Sequence, residues 1–146
     1  MSPSDLARVT ELLGRAPPSE FRVLVRGSNG DPLVVRNAPF LFDGTPMPTL
    51  YWLVPGPVYR AISRIEATGG IRAAQAALDI ADIAAAHQAY ARERDALIDP
   101  TYVGPRPSGG VGGTRRGVKC LHAHFGWWLA GGDDPVGAWV ADQLRE

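Results

Sequence analysis

The sequence is poor in the residues that usually advertise a protein's chemistry. It holds one cysteine, Cys120, so no internal disulfide can form, as expected for a chain kept in a reducing compartment. Lys119 is the one lysine among fifteen basic residues, and there are only three histidines and two methionines. Net charge is lacking too: fifteen basic residues balance fifteen acidic ones. That removes any general electrostatic reason to expect nucleic acid or an anionic membrane as partner. No run of about eighteen apolar residues occurs, which excludes a membrane-spanning helix. The opening MSPSDLARVTELLGR lacks the apolar stretch of a secretion signal. A cytoplasmic location is the expectation, with one domain over residues 1–146.

What is present is distributed in a readable order. Ser4 precedes DLARVTELLG, whose Leu6, Val9 and Leu13 fall at helical spacing. FRVLVR alternates, placing Phe21, Val23 and Val25 on one face, and an Asn-Gly turn leads into PLVVR. TLYWLV reads as a third, buried strand, and Pro57 opens a helix through VYRAISRIEAT. One long helix is expected over 71–97, with His87 on its apolar stripe, and DDPVGAWVADQLRE closes the chain as another. The architecture predicted is α+β: a small, mainly antiparallel sheet of about three strands under four to five helices. ISRIEATGGIRAAQAALDIADI has only a superficial helix-turn-helix look, because its second helix is alanine-rich and acidic. Nucleic acid is therefore not expected as a partner.

The chemistry is concentrated in GGVGGTRRGVKCLHAHFGWWLAGG, residues 109–132, which carries the lysine, the cysteine and two histidines. A glycine-rich loop running into a helix leaves backbone N–H groups free at the positive end of the helix dipole, an arrangement that cradles anions. Gly112, Gly113 and Thr114 would supply those donors, and Arg115, Arg116 and Lys119 would add charge. The spacing is neither a Walker loop nor a dinucleotide fingerprint. The alternative is a solvated surface loop. As a helix, Val118, Leu121, His122, Phe125 and Leu129 form an apolar stripe. Cys120 and His124 then stand four apart as a more exposed, reactive pair.

Three readings of Cys120 stay open: a buried structural thiol, a nucleophile working with Lys119 and His124, or a ligand to zinc or iron together with His122 and His124. The candidate catalytic residues are thus Lys119, Cys120 and His124, and the ligand class is a phosphate-containing or otherwise anionic small molecule. A second class of function is a protein-interaction module presenting Trp127, Trp128 and Trp139. Asp43 reads as part of a turn, or as a carboxylate facing the glycine loop. Arg60 and Arg64 read as a solvated face with Glu66 nearby to pair.

DGTPMPTLYWL, ISRIEATGG, GVGGTRRGVKCLHAHFGWWLAGG and DPVG, in that order, resemble the DUF501 family, a domain of unknown function common in actinobacteria. The resemblance implies a cytoplasmic bacterial domain but supplies no catalytic residue. It also implies a link to cell division or polyphosphate metabolism, through the genes that neighbour family members. Relatives often carry a cysteine where this chain has Val54, which weakens a dithiol or closed metal site involving that position.

Overall fold

A computed structural model describes residues 1–146. Strands β1 (Phe21–Arg26), β2 (Pro32–Asn37) and β3 (Tyr51–Leu53) form an antiparallel meander in that order. Around it lie α1 (Pro3–Leu13), α2 (Pro57–Ala67), α3 (Gly70–Ala77), α4 (Ile80–Asp95), α5 (Leu121–Leu129) and α6 (Pro135–Leu144). No helix is long and apolar enough to cross a membrane. The architecture is the expected α+β, with one helix more than the sequence suggested.

The extra helix arises where the expected 71–97 helix breaks. Leu78 is extended, and Asp79 turns its carboxylate onto the Ala81 N–H at 2.7 Å, capping α4. An aspartate cap satisfies a first-turn donor that would otherwise be orphaned, so it can start a helix without glycine or proline nearby.

The sheet separates two cores. On one face Val9 of α1 packs with Phe21, Val35 and Val54; on the other, Val34 and Leu53 join the large core built by α2–α6. A bulge in β1 lies between these sets. Val23 pairs with Val35 but Val25 pairs with Val34, so an extra residue enters at Leu24 and sends Val25 to the opposite face from Val23. The expected common face for Phe21, Val23 and Val25 therefore fails after Val23, because a one-residue slip inverts a period of two. The hairpin loop is also wider than a two-residue Asn-Gly turn: Gly30, at φ +85°, donates to the Gly27 carbonyl. β3 is not wholly buried, since Trp52 is 38% exposed between buried Tyr51 and Leu53.

Helix α5 is the centre of the molecule. Gly126 lets it lie directly on β3, where a Cβ would stand 3.3 Å from the Leu53 nitrogen. Gly137 does the same for α6, since a Cβ there would fall 2.2 Å from Trp128 Cβ. The tight packing buries Trp127, whose indole N–H donates to Glu93 at 3.0 Å, and leaves Trp128 and Trp139 only partly exposed against the core. Of the three tryptophans expected to present an interaction surface, Trp127 is therefore a core residue, and Trp128 and Trp139 are half-buried.

Candidate functional site

The glycine segment is tied down from behind by α4. Gly109, Gly112, Gly113 and Gly117 all adopt positive φ, conformations that side chains beyond glycine rarely tolerate. His87 accepts the Val111 N–H on Nδ1 (3.1 Å) and donates from Nε2 to the Gly117 carbonyl (2.7 Å). Burial lowers the pKa of His87, in keeping with a neutral ring that accepts on one side and donates on the other. Arg94, only 1% exposed, donates to the carbonyls of Gly109 (2.8 Å) and Pro48 (3.1 Å). Inside the loop, Gly110 donates to Thr114 and Gly113 to Gly110.

Of the three donors that the sequence assigned to an anion, Gly113 and Thr114 are engaged within the loop. The N–H groups of Gly110, Val111, Gly113 and Thr114 already have protein acceptors. Nor does the loop run straight into α5. Residues 118–120 are drawn out between helices, with the Val118 N–H held by Gln75 Oε1 (2.7 Å) and the Leu121 N–H by Glu66 Oε2 (2.7 Å). The start of α5 thus already faces a carboxylate. Thr114 is half-buried, Arg115 and Arg116 are exposed, and neither arginine makes an ion pair. Asp43 accepts the Thr45 N–H at 2.9 Å, the turn reading of that segment.

The later start of α5 exchanges the roles expected of its two histidines. Cys120 occupies the N-cap position, extended at φ −147°, so it and His124 do not form an exposed pair on one helix face. His124 is fully buried, with Nδ1 2.6 Å from Asp134 Oδ2, while the other oxygen of Asp134 caps α6 through the Val136 N–H. His124 Nε2 is buried without a partner. His122, expected in the core, instead faces a cleft with Cys120.

That cleft, about 250 Å³, is lined by Thr49, Trp52, Leu53, Tyr59, Gly112, Lys119, Cys120, His122 and Ala123. Of the expected anion-site residues, Gly112 and Lys119 reach it. The His122 ring stacks on Tyr59 with centroids 4.1 Å apart. Its Nε2 lies 3.1 Å from the Tyr59 carbonyl and 3.0 Å from Ser63 Oγ. A carbonyl only accepts, so Nε2 carries a proton and directs Nδ1 toward Cys120 and Glu66. Nδ1 stands 3.8 Å from Cys120 Sγ and 3.4 Å from Glu66 Oε2. Burial, reinforced by the Glu66 charge, pushes the Cys120 thiol up, against the pull of the Ala123 and His122 N–H groups and of Lys119.

Glu66, expected to pair with Arg60 and Arg64, instead turns to α5. A signal existed. Tyr59, Ser63 and Glu66 are spaced four and three apart, which aligns them on one face of α2. All three meet the start of α5. Val54, the position of the relatives' cysteine, packs with Val9, Phe21 and Val35 away from this cluster.

The sequence matches the family model described as "Protein of unknown function (DUF501)" over residues 23–142, a span that holds the cleft and all but the ends of the sheet and of α6. No curated protein and no solved structure matches the chain. On this coverage the chain belongs to the DUF501 family, and the cleft at the junction of α2 and α5 lies within the matched residues.

Proposed function

We propose that this protein binds a single transition-metal ion, zinc in preference to iron, through Glu66, Cys120 and His122, and uses it with Lys119 to hold a small anionic molecule, with phosphate compounds in scope. The observation that carries the reading is the convergence of three different electron-pair donors within 4.8 Å of one another. Their spacings of 3.4 and 3.8 Å from His122 Nδ1 suit neighbours around a tetrahedral ion with bonds of about 2.0–2.3 Å. The orientation of His122 supports it further: a ring nitrogen that donates to a carbonyl while the other faces inward is the usual outer support of a metal-bound histidine. One thiolate, one imidazole and one carboxylate suit zinc, and three protein ligands leave a position open to the cleft.

Lys119 is exposed and makes no ion pair, and its side chain runs beside Gly112 at the cleft wall. A compact ammonium there complements the anionic end of a ligand seated on the ion. The thiol-nucleophile reading is weaker, because burial and the Glu66 charge outweigh the N–H groups and Lys119 that favour the thiolate. Elemental analysis of untagged protein prepared without chelators tests the proposal. Roughly one equivalent of zinc or iron is expected, falling to background in Cys120→Ser and Glu66→Gln. Metal-free protein that takes up no added zinc sinks it.

A further inference from the structure

We infer that Thr49 is a ligand-binding residue of the cleft, and that with Lys119 and the ion it recognises a phosphoryl group. The phosphoryl half of this rests on the metal reading; the binding role of Thr49 does not. Thr49 is only 8% exposed and lines the cleft. Its hydroxyl makes no hydrogen bond within the protein, yet the one partnerless side-chain polar atom sealed from solvent is His124 Nε2. The Thr49 hydroxyl therefore meets open space, and the open space at this residue is the cleft. A polar group so far withdrawn from bulk water costs stability unless something in the cleft takes up its hydrogen bond.

The backbone that carries this hydroxyl is fixed on both sides. Arg94 donates to the Pro48 carbonyl at 3.1 Å, and the Tyr90 hydroxyl accepts the N–H groups of Leu50 (2.5 Å) and Tyr51 (3.0 Å). Pro48 in turn lies against the glycine segment, where a Cβ on Gly113 would stand 3.6 Å from Pro48 Cβ. The neighbouring Gly112 packs on the Lys119 stem, a Cβ there standing 3.8 Å from Lys119 Cβ and Cδ. The same packing thus brings to one cleft a hydroxyl on rigid backbone and an exposed ammonium. The ammonium only donates, and a hydroxyl that donates with it matches an oxyanion. The open position on the ion takes one ligand oxygen. A phosphoryl group supplies a separate oxygen to each of these points, whereas a carboxylate has too few and must share.

Calorimetric titration of the zinc-loaded protein with inorganic phosphate, phenyl phosphate and acetate tests this, in the wild type, Thr49→Val and Thr49→Ser. Thr49→Val keeps the shape of the side chain and removes the hydroxyl. It is expected to weaken both phosphates by about tenfold or more, the size of a hydrogen bond to a charged acceptor. Acetate should lose less, and zinc content and the urea midpoint should hold. Thr49→Ser keeps the hydroxyl and is expected to recover most of the phosphate affinity; Thr49→Ala replaces the valine variant should that one fail to fold. Tighter binding of phenyl phosphate than of inorganic phosphate makes the ligand a monoester, and the reverse makes it the free ion; both carry the proposal. No phosphate binding by the zinc-loaded wild type, or unchanged phosphate affinity in folded, zinc-loaded Thr49→Val, overturns the role of Thr49 and leaves the metal reading standing. An equal loss for acetate overturns the phosphoryl half. Protein that takes up no zinc, yet loses phosphate affinity in Thr49→Val, overturns the metal reading instead.

Discussion

His122 and His124 sit two residues apart on α5 and have opposite environments. Two residues turn a helix by about 200°, so they face away from each other. His124 looks toward α6, has no exposed surface and is held by Asp134. His122 looks toward α2, keeps 12% of its side chain exposed and meets a thiol, a carboxylate and a carbonyl. The difference separates a ring sealed in the core from one left at a cleft. It is set by what packs on each side of α5, since the two residues are chemically identical.

Asp134→Ala is the hardest blow to the buried side. It strips the partner from His124 and the cap from α6, and we expect a loss of about 3–5 kcal/mol in urea unfolding. The folded fraction should still bind zinc, and an unchanged unfolding midpoint would erase the distinction between the histidines. His122→Gln should do the reverse. It is expected to lose metal while destabilising the metal-free protein by less than about 1.5 kcal/mol, measured by the same unfolding curve.

A smaller effect comes from pH through His87, which stands behind the glycine segment. Burial lowers its pKa below the ordinary value of 6.5, so as pH falls the unfolded chain takes up the proton first. The unfolded state binds more protons in that window, and stability therefore drops as pH falls below about 6.5. The carboxylates with lowered pKa values, among them Asp31 and Asp99, act in the same direction only at more acidic pH. Unfolding at pH 7.5 and 5.5 should show the loss, and His87→Gln should flatten it.

Local features of the fold were legible in the sequence; features set by distant contacts were not. The β1–β2 hairpin showed in its alternation, and α6 in Asp134-Pro135, because both signals lie within a few residues of what they fix. The Asp79 cap was equally local, but its lack of glycine or proline let it pass for helix interior. The start of α5 was not readable locally, since Glu66 and Gln75 from other helices take the N–H groups of Leu121 and Val118 and Cys120 stays extended. Shifting that start changed which residues share a face, which is why the reading that paired Cys120 with His124 gave way to Cys120 with His122. Within that segment the structure brings Cys120 beside His122, and Glu66 joins them from α2.

The bond from the Leu121 N–H to Glu66 joins residues 55 apart. Cys120 makes no side-chain capping bond to α5, and a helix of nine residues is too short to persist alone. Its first turn is therefore held by another helix. Hydrogen exchange in the amides of α5 should accordingly require opening of the whole large core, with no separate fraying of its N-terminus. The cleft would then assemble in a single cooperative event, and the unfolded chain would hold no partial version of it.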